Sequence, residues 1–515
     1  MSNRREDAKT LIGQADSLLP AFGRDAFAYA IASIIPAALN VLKVSIFTRV
    51  FSPSDFGRYS LAFTTVGICT VLLSAWVQQS ILRFRPGYVE SGSRRGFDRN
   101  LLFLLVGLSV MVVAAGAVGW PLVGPWLHAY RGFYWIGVGL VVSGVWYGSL
   151  GVLLQADLRA REYSTFATVQ AVLRLLLSLG WVFLIVRDVR GLLWGVLLAQ
   201  TLMIVPMARA LGLHRVRQVV KTGTASLGRF AAQFARYGMP MLGWAMSAEL
   251  LDLSDRYLLQ FFHGSAQVGI YSPIYGIGRS IIGLVTGPLI TAAHALLMKA
   301  AGKSEKLDKD RLQDTVSSLS RIFLAVAIPA SVYMVVFGRE IVTVFLGPEY
   351  RQGYMVLPLA VVGFLAWRFA MYGHKGFEFL GKTRKMFVYV LVCAVFNILL
   401  NLFFVPRYGY LGAAMTTSIS SLLYPVLVYF GSRREFRWRI PWASMGRIAL
   451  CGLIAAGGSW IVKRVLGGVP NFVLLLVGFF AVSLVYILLL FVLREVTWEE
   501  IRSLGQSILA RRGRK

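Results

Sequence analysis

The sequence is short of cysteine, of acidic residues and of polar runs. Only three cysteines stand among its 515 residues. Cys69, Cys393 and Cys451 all lie inside apolar stretches. An odd count with no Cys/His spacing supplies neither a disulfide framework nor a metal-ligand motif, so they read as small buried hydrophobes and no metal or cofactor is expected. Asp and Glu number 24 against 53 Lys and Arg, a net charge of +29. In a soluble protein that imbalance would point to nucleic acid. Here no polar domain exists to host it and the positive residues sit in short runs between apolar stretches, so no nucleic-acid partner is expected. A P-loop is also missing, since Gly302-Lys303-Ser304 has Leu297 where its first glycine would stand. The longest non-apolar stretches, 83–100, 213–236 and 298–318, are basic or mixed and hold no concentrated set of carboxylates. The chain therefore reads as a non-enzyme, and a catalytic reading reduces to a polysaccharide polymerase with its site inside the membrane. Nor does the N-terminus show a short apolar core followed by a small-residue cleavage site, so the first apolar segment is expected to remain as an anchor.

What is there is hydrophobic sequence, 57% of all residues. Counting about 20 mostly apolar residues per span gives fourteen spans, near 25–48, 60–82, 101–119, 133–155, 164–186, 191–212, 237–262, 268–297, 319–337, 354–380, 386–405, 410–430, 445–465 and 470–493. The expected fold class is an all-α integral membrane protein with 14 transmembrane helices. If spans alternate, the connections 83–100, 213–236, 299–321 and 432–447, with five, five, six and five Lys/Arg, share one side. The opposite connections 263–267, 120–132 and 406–409 hold none, Arg131 and Arg407. The positive-inside rule makes the rich side cytoplasmic, with both termini on it.

Two internal matches divide the chain. Phe56-Gly57-Arg58-Tyr59-Ser60 and Val268-Gly269-Ile270-Tyr271-Ser272 share the pattern apolar-Gly-x-Tyr-Ser at an offset of 212 residues. Arg159-Ala160-Arg161 and Lys382-Thr383-Arg384 match at an offset of 223, as do Ala171-Val172-Leu173-Arg174 and Ala394-Val395-Phe396-Asn397. One insertion between the landmarks accounts for the difference. Six spans per repeat is an even number, so the halves enter the membrane alike and should be related by an axis along its normal, with a site between them near the midplane. The expected organisation is a cytoplasmic tail 1–24, an N-lobe 25–212 of six spans and a basic linker 213–236. A C-lobe 237–431 of six spans, two added spans within 432–494 and a cytoplasmic amphipathic tail 495–515 follow. That tail opens Thr497-Trp498-Glu499-Glu500, a capping-box pattern, and repeats Ile501, Leu504 and Ile508 at helical spacing. It reads as an interfacial anchor.

Three motifs in order resemble a known family. They are Ser52-Pro53-Ser54-Asp55-Phe56-Gly57-Arg58-Tyr59, Leu346-Gly347-Pro348-Glu349-Tyr350, and Asn397-x3-Asn401-x4-Pro406-x2-Gly409-x2-Gly412-Ala413-Ala414. Together with fourteen spans they resemble the polysaccharide transporter (Wzx-type) flippases of the multidrug/oligosaccharidyl-lipid/polysaccharide exporter (MOP) superfamily. The resemblance implies movement of an undecaprenyl-pyrophosphate-linked oligosaccharide across the bacterial inner membrane, by alternating access of two lobes, for surface polysaccharide such as O-antigen. It also implies lipid bilayer as surroundings, the polymerase and glycosyltransferases of the same pathway as partners, and the last two spans as a groove for the lipid tail.

Charges within the spans mark candidate sites, because each costs roughly 2.5–3.5 kcal/mol at mid-bilayer. Ser33, Pro36, Asn40 and Lys43 share one face of the first span, where Pro36 could act as a hinge; Lys43 either lines a cavity or snorkels to the interface. Gln170, Arg174 and Ser178 form a stripe in the fifth span, Tyr271, Tyr275 and Arg279 another in the eighth, and Arg368 lies in the tenth. Guanidinium forks match phosphate oxygens, so Arg174, Arg279 and Arg368 are candidates to hold a pyrophosphate. Tyr271, Tyr275, Gln78, Gln79, Trp244, Asn397 and Asn401 are candidates for sugar contacts. The bland alternative pairs the arginines with carboxylates or helix carbonyls. In the seventh span Asp252 and Arg256, at i, i+4, read as an intrahelical pair. Glu249 and Asp255 have no such partner and, with Asp252, are candidates for ion coupling through Na+ or a proton, or for pairing across the cavity. His214, His294 and His374 read as packing or interfacial residues. The rival function is a cation-coupled exporter of small organic cations from the same superfamily, which should show an acidic or aromatic cavity.

Overall fold

The computed structural model describes residues 34–214, 224–302 and 309–496. The tail 1–24, the start of the first span with Ser33, part of the basic linker (215–223) and the amphipathic segment from Thr497 lie outside the described residues. The described chain is helical and contains no strand. Its helices are α1 (Ile34–Phe47), α2 (Pro53–Glu90), α3 (Arg94–Val123), α4 (Tyr134–Ala156), α5 (Ala160–Gly180), α6 (Gly191–Ala210), α7 (Thr224–His263) and α8 (Ser265–Gly302). They continue as α9 (Lys309–Val336), α10 (Gly338–Phe345), α11 (Val356–Gly373), α12 (Lys375–Phe379), α13 (Thr383–Ser432), α14 (Trp442–Val465) and α15 (Asn471–Val492).

Among the described residues, eleven helical stretches are long and apolar enough to cross a membrane. Fourteen crossings require three more. α1 is a shorter apolar helix, and α7 stands outside the eleven while carrying Glu249, Asp252, Asp255 and Arg256. α13 has 50 residues, about 75 Å if straight, against a hydrocarbon core of about 30 Å. It is not straight. Gly409 takes φ 53° and ψ −133°, a backbone setting that side-chain-bearing residues avoid. Asn401 before the break bonds Thr416 after it, so the two arms fold back against each other as a hairpin. α7 begins at Thr224, inside the stretch read as linker, and the connection read at 263–267 shrinks to Gly264 at φ 78°.

The start of α2 shows how sequence sets the contact between the repeats. Ser52 caps the helix by accepting from the Asp55 backbone amide at 3.2 Å, and Pro53 supplies the preset φ of the first turn. This places Gly57 one turn in, facing the start of α8. A side chain at Gly57 would collide with the Ser265 carbonyl, and one at Gly269 would collide with the Pro53 carbonyl. The offset of 212 residues that relates the two Gly-x-Tyr-Ser motifs also relates Pro53 to Ser265. Each half thus presents the same glycine to the same position of the other, as a twofold axis between matched helices requires. Further ties cross on this Lys/Arg-poor face, which is the outer one in the orientation read from the sequence. The Gly347 amide donates to Thr48 Oγ1 at 3.2 Å, Tyr350 donates to the Phe51 carbonyl at 2.8 Å, and Arg49 donates to the Val344 carbonyl at 2.5 Å.

The opposite ends of the first helices are fastened by charge. Arg85 is fully buried; it donates from Nε to Asp157 at 2.9 Å and pairs with Asp98. Arg94 reaches the same Asp157 at 3.1 Å and the Leu211 carbonyl at 3.3 Å. Two guanidiniums, Arg85 and Arg94, thus join α2, α3, the α4–α5 turn and the end of α6. Arg85→Ala would leave two buried carboxylates without their main partner, a change that costs about 3–5 kcal/mol. Thermal unfolding of the purified variant is expected to show a large drop in Tm, whereas Arg95→Ala, whose side chain makes no ion pair among the described residues, should leave it in place.

Candidate functional site

The charged face of α7 meets α8 and both arms of α13. Asp255 is fully buried and accepts from Tyr271 Oη at 2.6 Å, from Asn401 Nδ2 at 2.8 Å and from Thr417 Oγ1. Asn397 Oδ1 closes the network by accepting from Ser254 at 3.0 Å and Asn401 at 2.9 Å. One helical turn away, Asp252 accepts from Tyr275 Oη at 2.6 Å and forms an ion pair with Arg279. Glu249 stands a further turn along and adds a second negative charge near Arg279. Glu249, Asp252, Tyr275, Arg279 and Arg368 line one cavity of about 200 Å³, walled by Phe364 and Trp367. Arg368 has no carboxylate partner among the described residues, and the like charge of Arg279 acts on it.

A second charged group sits in the first half. Lys43 is buried, donates to Tyr59 Oη at 2.9 Å and lies over the rings of Tyr59 and Phe63. Arg174 stands within electrostatic reach of Lys43, Tyr59 and Tyr147, and no carboxylate pairs with it among the described residues. The offset of 212 residues maps Lys43 onto Asp255 and Tyr59 onto Tyr271. In both halves the tyrosine of the Gly-x-Tyr-Ser motif therefore binds the charged residue of the preceding helix. In the first half that charge is positive, in the second negative.

The comparisons with known proteins bear directly on this arrangement. Residues 22–294 match the family described as "Polysaccharide biosynthesis protein", more than half of the chain. The chain belongs to that family. Residues 165–479 also match "Lipid II flippase MurJ". A curated relative from Haloferax volcanii, "Probable low-salt glycan biosynthesis flippase Agl15", is 20% identical over 465 residues, covering 88% of this chain and 93% of its own. Among solved structures, "Lipid II flippase MurJ, inward closed conformation" superposes with a TM-score of 0.75 at 14% identity, over 91% of this chain and 99% of that one. An inward-facing multidrug resistance MATE family transporter of the MOP superfamily gives 0.61 at 14% identity, over 79% and 97%. The superfamily resemblance carried by the Ser52–Tyr59, Leu346–Tyr350 and Asn397–Ala414 motifs is the one these matches support.

Within this family member, several sequence expectations need correction. Asp252 and Arg256 do not form a side-chain ion pair, because Tyr275 and Arg279 take both oxygens of Asp252. Arg256 turns to Ser272 Oγ at 3.2 Å and to the Asp252 carbonyl at 3.4 Å. Lys43 does not snorkel; Tyr59 holds its ammonium inside. Tyr271, Asn397 and Asn401, read as sugar contacts, are fully buried, their polar atoms turned to Asp255 and its neighbours. Asp255 shares that interior and is absent from the cavity lining. Gln78 donates to Ser74 Oγ at 3.0 Å. His374 and His294, read as packing or interfacial residues, take part in a polar group with Lys375, Glu378 and Tyr424. Tyr59, Tyr147, Phe364 and Trp367 were not singled out from the sequence. Tyr59 was discoverable, since the repeat that flags Tyr271 aligns it.

Proposed function

We propose that the protein flips a polyprenyl-pyrophosphate-linked oligosaccharide from the cytoplasmic to the outer leaflet of the bacterial inner membrane, for surface polysaccharide synthesis. The carrier is undecaprenyl pyrophosphate, two six-helix lobes alternate in access, both termini are cytoplasmic, and the polymerase and glycosyltransferases of the pathway act before and after it. The observation that carries this reading is the pair of arginines, Arg174 and Arg368, which stand in membrane-spanning helices without a carboxylate partner among the described residues. Fixed positive charge in such sequence is costly unless a ligand or water compensates it, and a pyrophosphate supplies the oxygens that guanidinium forks bind. Arg279 completes the set but is already half satisfied by Asp252. Tyr275, with Phe364 and Trp367, offers ring faces for sugar, and α14 and α15 would hold the lipid tail.

Coupling is assigned to Asp255 rather than to the cavity wall. Its carboxylate accepts from Thr417 and from Asn401 Nδ2, with Asn397 behind them, a buried hydrogen-bonded acid whose charge a proton or a small cation would balance. Glu249 and Asp252 adjust the charge of the cavity. Asp255→Asn is expected to lower export of surface polysaccharide several-fold in cells while the protein remains folded. If export also persists unchanged when both the Na+ and proton gradients are collapsed, Asp255 has no coupling role.

Glu249 and Asp252 on the cavity wall, together with the MATE likeness, favour the exporter of organic cations as the second reading. Sensitivity to a panel of cationic dyes in a strain lacking the protein separates the two: the flippase reading expects no change in dye tolerance and loss of surface glycan.

A further inference from the structure

The loops of the outer face of the first half enclose a polar cavity of about 230 Å³, separate from the charged cavity described above. Its wall comes from three connections: Phe51, Asp55 and Arg58 at the start of α2, Gly132 and Phe133 before α4, and Arg187, Asp188 and Arg190 between α5 and α6. Three guanidiniums face two carboxylates there. Arg58 pairs with Asp55, and Arg190 with Asp188 at 2.7 Å. Asp188 also accepts the Arg190 backbone amide at 2.7 Å. Partial burial works to raise the Asp188 carboxyl. The hydrogen bonds and charge of Arg190, with the charge of Arg58, overcome this and hold it below the usual carboxylate range. Asp188 therefore stays ionised, and Arg187 is left without a carboxylate partner among the described residues. A side chain at Gly132 would run into the Arg190 guanidinium, so glycine is what leaves room for it there.

The positive-inside rule does not call for positive charge at this place. Connections 263–267 and 406–409 on the same face carry a single arginine between them, whereas 187–190 alone carries two. The positive-inside rule disfavours such a concentration on the outer side. In the orientation read from the sequence, all three connections flank the outer ends of spans, where lipid headgroups would lie. An excess guanidinium in a concave, hydrogen-bonding pocket at that depth selects an oxyanion over a neutral sugar.

We infer that the Arg58, Arg187 and Arg190 pocket is a second anion site, which holds a phosphate-class group at the outer headgroup level. Two sources share that chemistry: the pyrophosphate of a carrier already delivered, an assignment that rests on the flippase reading, and the headgroup of an anionic phospholipid. Arg58, in the pocket wall, follows Gly57, where the two halves meet. An anion seated there bridges the α2 start to the α5–α6 connection.

Inorganic pyrophosphate is the probe. Titrated into the full chain in phosphatidylcholine nanodiscs, it should bind in two classes of site, and Arg187→Gln/Arg190→Gln should weaken one class at least tenfold. Arg187→Gln alone, an exposed substitution that leaves the Arg190–Asp188 pair intact, should weaken it by a smaller factor. Repeating the titration with phosphatidylglycerol in the nanodisc separates the sources. Weaker pyrophosphate binding at that site means that the lipid headgroup occupies it, and unchanged binding assigns it to the carrier. Wild-type binding by both variants overturns the site. Because no carrier lipid is used, this result stands or falls separately from transport.

Discussion

Arg279→Ala should reduce flux of the lipid-linked glycan roughly ten- to a hundredfold, the largest transport effect expected of any single cavity residue. Arg279 has two roles. It neutralises Asp252 in an ion pair, and it presents the rest of its guanidinium, about half exposed, to the cavity. Removing it deletes a charge-assisted contact to the substrate, worth about 1.5–3 kcal/mol, and it also uncovers Asp252 beside Glu249. The cavity wall then carries two carboxylates against Arg368, and an anionic headgroup meets repulsion where it met attraction. Arg279→Lys should retain part of the flux, since the charge stays while the fork is lost. Asp252→Asn in the Arg279→Ala background should recover some of it, because the uncovered charge is removed. Steady-state surface glycan in complemented cells, normalised to protein level, reads all three. Equal export by Arg279→Ala and wild type would remove Arg279 from the pathway.

Gly57→Val is expected to stop transport for a different reason. Gly57 and Gly269 let the starts of α2 and α8 approach to backbone contact, each against the carbonyl of the residue that matches its partner's helix start. Backbone cannot move aside as a flexible side chain can, so a Cβ at either glycine forces the two starts apart. The outer face then stays open. Gly269→Val should reproduce the effect, because the contact is reciprocal. An Ile290→Cys probe in the cavity wall should react with a membrane-impermeant maleimide added outside far faster in either valine variant than with both glycines present. Unchanged labelling in both variants, with transport intact, would show that this contact does not close the outer side.

How much of this could be read from the chain depends on the kind of interaction. Spans are legible because hydrocarbon demands length and apolarity from each helix separately. α7 is the informative exception, since its charges keep it outside the apolar helices while Asp252 and Asp255 are satisfied by Tyr275, Arg279, Tyr271 and Asn401 from other elements. The repeat was legible in Gly57 and Gly269, where backbone approach restricts the residue to glycine. Pairing was not. Asp252 and Arg256 have the spacing of an intrahelical pair, but that rule describes an isolated helix, and α8 offers Asp252 a tyrosine and an arginine from outside. For the same reason Asn397 and Asn401 resembled cavity amides, although they turn inward to Asp255. Lys43 shows the converse: its partner Tyr59 lies sixteen residues on, and only the fold brings them together.

The central claim is that the protein carries a lipid-linked glycan across a bilayer. Proteoliposomes holding the purified chain and a fluorescent undecaprenyl-pyrophosphate-linked oligosaccharide, confined at the start to one leaflet, measure this directly through the time course of its appearance in the other. Wild-type protein should transfer the lipid well above protein-free vesicles, and the Arg279→Ala/Arg368→Ala protein should fall to the protein-free rate. If wild-type protein leaves the lipid in its starting leaflet while exporting an organic cation from the same vesicles, the account is wrong.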